Sequence, residues 1–157
     1  MPADPFLDST VRLVPGDAVA ALILVEGRYL LQQRDDLDFI FFPGHWGLFG
    51  GGIDPGESDI DCLRRELQEE LGLTPQPEEL RYFSDIAFDM TALGRSWFRR
   101  PCYEIHINAT RYAGLALGEG QRMQLFTGRE VLALNPVTPY DRFLLWMHIQ
   151  QDRLRPD

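Results

Sequence analysis

Glu57, Glu66, Glu69 and Glu70 are the residues of this chain most suited to chemistry, lying within the segment GGIDPGESDIDCLRRELQEELGL that begins at Gly51. Glu57 sits in a Gly/Pro turn, and the other three follow on a stretch that reads as a helix. At about 100° per residue, Glu66 is one turn from Glu70 and three residues from Glu69, so the three carboxylates form a patch beside the apolar stripe. Like charges at this spacing repel, so stability alone is a poor reason for gathering them. Hard divalent cations such as magnesium take several oxygen ligands. A cation held this way would neutralise and orient a diphosphate and acidify a bound water. Gly50, Gly51 and Gly52 let backbone carbonyls come close to such an ion. Arg65 can pair with one carboxylate and hold it, and Arg64 can face a phosphate. Three glutamates among arginines would by themselves fit a solvated helix, so the meaning rests on the full spacing.

The elements that must position these groups follow from hydropathy and punctuation. AVAALILV at 18–25 reads as a buried strand, Glu26-Gly27 as a turn, and RYLLQQR at 28–34 as a returning strand. A loop over 35–45 holds FIFF at 39–42, a run suited to lining a ligand cleft or, in the preferred reading, to packing or covering a dimer partner. Trp46 to Gly50 is short and apolar. Ser58 as N-cap, Asp61 in capping-box position and Gly72 as the C′ residue predict a helix over 59–71. Its core stripe is Ile60, Leu63, Leu67 and Leu71. Strands are expected at 80–89 and 97–108 around a hairpin with Gly94 in its turn, and a further strand at 121–126. Residues 113–120 read as a Gly-rich loop, Thr127 as the cap of a short helix, and 139–153 as a final amphipathic helix with Phe143, Leu144, Trp146 and Met147 inward. Residues 1–16 read as an extended lead-in with an edge strand at 10–14. The mixture suggests an α/β or α+β sandwich around a mixed sheet, formed by one domain over 1–157.

The carboxylate segment resembles the Nudix box, G-x5-E-x7-R-E-U-x-E-E-x-G-U with U a bulky aliphatic residue. Gly51, Glu57, Arg65, Glu66, Leu67, Glu69, Glu70, Gly72 and Leu73 fill every defined position. The resemblance implies an α/β/α sandwich around a mixed β-sheet. It also implies hydrolysis of a nucleoside diphosphate linked to another moiety, with Mg2+ or Mn2+. By position, Glu66, Glu69 and Glu70 look like the metal-binding carboxylates, with the Gly50 carbonyl a further ligand. Glu57 resembles the loop glutamate that organises the metal site, and Arg65 the arginine that orients a helix carboxylate. Gly118-Glu119-Gly120-Gln121 resembles the Glu-Gly-Gln of a mobile loop in MutT-type enzymes, where the glutamate assists catalysis. Glu69 and Glu119 both stand as candidates for the general base. Where MutT-type enzymes place an Asn that reads the purine, this chain has Val137, with Asn135 two residues away, a departure from oxidised-guanine recognition.

Substrate contacts are sought among Arg34, Arg64, Arg99 and Arg100 for phosphate, with at most one of the adjacent pair Arg99-Arg100 facing the site, and among aromatics, Trp46 and Phe49 foremost, for the base. The basic residues are arginine, which suits bidentate phosphate contacts. With 24 acidic against 15 basic residues and a net charge of −9, the chain lacks the basic track of a long-RNA enzyme and is not expected to bind nucleic acid or anionic lipid. Cys62 and Cys102 have neither zinc spacing nor the placement needed for an isopentenyl diphosphate isomerase. The opening stretch lacks a signal-peptide pattern, and the longest apolar run is too short to span a bilayer, so the cytoplasm is the expected location. A nucleotide sensor of the same fold is the alternative function. Such sensors usually lose box carboxylates, and this chain retains them.

Overall fold

The computed structural model describes Thr10 and residues 12–156. Of the edge strand expected at 10–14, residue 11 lies outside the described residues and the other four are not in a strand. The sheet is built around β1 (Ala18–Val25), which is apolar along its length because both of its faces are covered. On one edge β1 runs parallel to β6 (Phe98–Ile107), with Ile23 opposite Ile105. On its other edge it pairs antiparallel first with β4 (Phe49–Gly52), Ala20 opposite Gly50, and then with β2 (Arg28–Gln33). β2 also pairs with β3 (Trp46–Gly47) and β7 (Arg122–Phe126), and β5 (Arg81–Phe88) closes the far side against β6. One parallel pairing among antiparallel ones makes the sheet mixed.

Period-2 alternation divides β1 between two cores. Val19, Ala21, Ile23 and Val25 pack with Leu63, Leu67 and Leu71 of α1 (Asp59–Leu71). Ala20, Leu22 and Leu24 pack with Leu144 and Leu145 of α4 (Pro139–Ile149) and with Val131 of α3 (Gly128–Ala133). The result is the expected α/β/α sandwich. No helix among the described residues is long and apolar enough to cross a membrane.

Helix α1 begins where the Ser58 hydroxyl accepts the Asp61 N–H. It ends at Gly72, whose φ of 66° lets its N–H reach Gln68 while the Leu73 N–H reaches Leu67. Its buried face includes Cys62 and Glu70 besides the expected leucines, while Ile60 is only half-buried. Each buried leucine contributes about 1.5–3 kcal/mol.

The last helical region departs from expectation. α4 stops at Ile149, and a separate turn of helix, α5 (Gln151–Leu154), follows. Phe143 and Trp146 are exposed and stack on each other outside the core. Asp141 and His148 take inward positions beside Leu144 and Leu145 because the sheet offers them partners: the Leu48 N–H and Arg100 for Asp141, Tyr29 and Glu104 for His148. A five-residue helix, α2 (Ala109–Ala113), capped by the Asn108 side chain, ends β6 one residue early and occupies the start of the expected 113–120 loop.

Candidate active site

Arg65 joins the turn before α1 to the helix itself. Its Nε and Nη2 donate to the two oxygens of Glu57, each at 2.9 Å, while Nη1 donates to Glu66 at 2.6 Å and Nη2 also reaches the Gly52 carbonyl at 3.1 Å. This bidentate bond and the Asp54 N–H hold the Glu57 carboxyl down to about 2. Both Glu57 oxygens are thereby occupied, so Glu57 enters the site as the anchor of Arg65.

Glu70 lies deeper. It is 4% exposed, and its carboxylate accepts the Gly50 N–H at 2.9 Å and the Gln32 side-chain amide at 3.1 Å. Burial, aided by the charges of Glu66 and Glu119, pushes its pKa up to about 7 against those two hydrogen bonds. Burial likewise raises Glu66, with Glu69 and Glu119 adding to the effect. The charge of Glu119 is felt by both helix glutamates across a large sequence separation, so Glu119 lies near the patch. Glu69, its side chain 56% exposed, is the open member of the set, with the Arg65 guanidinium 3.8 Å away.

Two glycines make this geometry attainable. Gly50 has a φ of 139°, and a Cβ there would collide with the Val19 carbonyl oxygen. A Cβ on Gly51 would run into the Glu66 carboxylate. The Glu119 segment is fastened on both sides: the Gly118 N–H donates to the Glu70 carbonyl at 2.7 Å and the Gly120 N–H to Asp35 Oδ2 at 3.2 Å. The stretch that resembles a mobile loop is docked against the end of α1 in this structure.

Beside the glycines lies a cleft of about 360 Å³, floored by residues 50–52 and walled by Arg34, Phe41, Phe98, Arg100 and Tyr140. Arg34 borders it, with its Nε on the Phe41 carbonyl at 2.8 Å. Arg99 also borders it, bound to Asp85 and Asp59. The other expected contacts lie elsewhere. Arg64 donates to the Pro75 carbonyl at 2.8 Å, beyond the end of α1 and away from the cleft lining. Phe49 is wholly buried in the α1 core, and Trp46 packs edge-on against Phe126 in the α4 core. Both are drawn in because β3 and β4 lie within the sheet. Of the 39–42 run, Phe41 lines the cleft, Phe42 packs on His45 and Tyr140, and Phe39 stays exposed. Val137 is buried and bridges to Trp46.

Gln32 and the partnership of Arg100, expected at phosphate, with Asp141 emerge only from the structure. Gln32 had a signal: in RYLLQQ it falls two residues after the buried Leu30, so a polar side chain points into a core face. The pairing of Arg100 with Asp141 had none, since the two are 41 residues apart.

The donor set suits a hard divalent cation in type and charge. Oxygen groups are gathered on one face, and burial, with a smaller contribution from neighbouring carboxylates, raises Glu66 and Glu70, a penalty that a bound cation would offset. Among the described residues, no three acidic, imidazole or thiol groups already converge on one point. Glu66 is turned to Arg65, and Glu70 to Gly50 and Gln32, so binding an ion requires these carboxylates to exchange partners.

The NUDIX domain model matches residues 14–147. The chain belongs to the NUDIX family. A nucleoside triphosphatase NudI of Escherichia fergusonii is 54% identical over 54 residues, 34% of this chain and 38% of that protein. This chain thus matches little more than a third of the length of that curated relative. Among solved structures, the E. coli ORF135 protein superposes with a TM-score of 0.69 at 26% identity, over 89% of this chain and 92% of that one. The NUDIX domain of Shewanella oneidensis NrtR, solved with ADP-ribose, gives 0.66 at 21% identity over 98% and 95%, a likeness of fold.

Proposed function

We propose that this chain hydrolyses a pyrophosphate bond in a nucleoside triphosphate or nucleotide sugar with the help of Mg2+ or Mn2+, by attack of water at phosphorus. The observation that carries this reading is the contact between the carboxylate patch and the cleft: Gly51 both floors the cleft and lies against the Glu66 carboxylate. A nucleotide in the cleft would thereby bring its phosphates to the glutamates. The name of the Escherichia fergusonii relative supports a nucleoside triphosphate in particular.

In this reading Glu66, Glu69 and Glu70 hold the cation, with the Gly50 carbonyl as a further ligand, and the bound cation supplies charge neutralisation and an acidified water. Arg65, clamped by Glu57, sets the direction of Glu66. Arg34 meets a phosphate from the cleft side. Glu69 and Glu119 are the exposed carboxylates able to take the proton of the attacking water. Glu70, 4% exposed and assigned to the cation, is the least accessible of the set to the attacking water.

The deciding experiment is a panel of nucleoside triphosphates, oxidised triphosphates, nucleotide sugars and dinucleotides, each with Mg2+ and with chelator. Hydrolysis of one class that stops with chelator is expected. Chelator-insensitive turnover would sink the metal mechanism. Tight nucleotide binding without turnover would replace the hydrolase with a sensor. Glu69→Gln and Glu119→Gln then identify the base, whose loss is expected to lower kcat by about 10²–10⁴.

A further inference from the structure

We propose that Arg100, held in place by Asp141, selects the base of the nucleotide, favouring a keto oxygen at the purine 6 or pyrimidine 4 position (guanine, uracil, thymine) over the amino group of adenine or cytosine. The inference rests on reading the cleft as the nucleotide site.

Arg100 is a guanidinium with one side committed and one side open. Its Nε donates to Asp141 Oδ1 at 2.8 Å, and Nη2 lies 2.7 Å from the same oxygen. Its plane is fixed from a second direction by Tyr140, whose ring centroid is 4.5 Å from the guanidinium carbon. Among the described residues, the hydrogen bonds of this side chain use only the edge toward Asp141. No buried side-chain nitrogen or oxygen there is left without a partner. The remaining edge of the guanidinium therefore opens to the cleft that Arg100 lines. An arginine offers donors and no acceptor, so this edge matches an acceptor on the ligand.

Asp141 cannot supply the opposite preference. Its Oδ2 accepts the Leu48 N–H at 2.9 Å, and its other oxygen is taken by Arg100. Asp141 as a whole is 2% exposed, and a Cβ on Gly47 would come within 2.9 Å of Oδ2, so little room remains on that side. The Phe41 carbonyl, a further acceptor at the cleft, is engaged by Arg34. An exocyclic amino group presented to this edge would meet donors where it needs an acceptor, and an unmatched polar pair of this kind discriminates against the base that carries it.

The charge balance points to a base rather than a phosphate. Asp141 cancels most of the Arg100 field, leaving oriented N–H groups with little net charge, which suits a neutral carbonyl. The phosphates belong at the glycine floor beside Glu66. Phe41, which lines the cleft, offers a ring on which a base can lie.

The test measures binding of guanosine, uridine, adenosine and cytidine to the wild-type protein in chelator, by protein NMR or fluorescence titration. Guanosine and uridine are expected to bind about 10- to 100-fold tighter than adenosine and cytidine, the discrimination a well-formed base-edge pairing provides. Arg100→Lys, which keeps a cation for Asp141 but loses the planar fork, is expected to level the ranking. Equal or reversed ranking in the wild type overturns the proposal, as does the absence of any nucleoside binding. A uniform loss for all four bases in Arg100→Lys, with the ranking kept, also overturns it. If Arg100→Lys does not fold, the wild-type ranking decides alone. The nucleosides carry no phosphate and the assay no metal, so this outcome is independent of hydrolysis: failure to cleave any triphosphate removes the enzymatic reading without deciding base selection.

Discussion

Glu70 is where the needs of folding and of metal binding meet. Its carboxylate is buried and hydrogen-bonded to Gly50 and Gln32, yet its pKa is pushed up to about 7 because burial outweighs those bonds. A carboxyl whose folded-state value is raised contributes stability that is complete below its unfolded value, near 4.3, and is lost as pH rises through the folded value. In chelator the protein is expected to lose about 3 kcal/mol of unfolding free energy from this residue between about pH 4.5 and 7.5. Urea denaturation across that range reads the loss, and Glu70→Gln should flatten the slope. Mg2+ is expected to reverse the loss at neutral pH by pairing with the ionised carboxylate. Equal slopes in wild type and Glu70→Gln would show that Glu70 is ionised without penalty. Glu69 is largely exposed and can be changed to Gln with little effect on stability, so a fall in kcat there reports on chemistry.

At the scale of elements, the site depends on how β4 enters α1. Gly50 combines a φ of 139° with close approach to the Val19 carbonyl, and its N–H is one of the two anchors of Glu70. Gly50→Ala is expected to cost more than 3 kcal/mol, combining left-hand-side backbone strain with a backbone collision. Gly72→Ala should cost about 1–2 kcal/mol, since its φ of 66° is the only fault and nothing lies within contact of the added methyl. Chemical denaturation of the two variants separates collision from strain, and equal losses would refute the assigned contact. Helix α1 was readable in the sequence because every signal agreed: Ser58 before it, Gly72 after it, and leucines at 3–4 spacing between. The face of α4 was not. Hydropathy assigns Phe143 and Trp146 inward, whereas the helix turns Asp141 and His148 to the sheet, where distant residues complete their hydrogen bonds. The cleft shares that difficulty. Its glycine floor is contiguous with the readable box, but Phe41, Arg100 and Tyr140 come from three separate segments, and only the fold brings them together.

At the scale of the whole molecule, the α4 layer is fastened to the sheet by polar links as well as by apolar packing, and the cleft opens at one of those links. Asp141 binds the first turn of α4 to Leu48 and Arg100 beside the cleft. At the other end of the helix, His148 Nδ1 is 2.7 Å from the Tyr29 hydroxyl and Nε2 is 2.5 Å from Glu104, which His106 also meets at 2.7 Å. Burial alone would raise the Glu104 carboxyl, but hydrogen bonds from His148 and His106 outweigh it and hold the value below the usual carboxylate range. A depressed carboxyl contributes stability present above its unfolded value and lost as pH falls through the folded one. Glu104→Gln is therefore expected to lower stability by about 2 kcal/mol at neutral pH, the value of a charge-assisted hydrogen bond in a partly enclosed setting. The gap between wild type and variant should close as pH falls through the depressed value of the wild-type carboxyl. Thermal melts of both proteins from pH 3 to pH 8 provide the measurement. A gap that persists unchanged into acid would mean that Glu104 acts by shape rather than by charge, and that the His148 end of α4 is held to the sheet by packing, leaving Asp141 as its charged link.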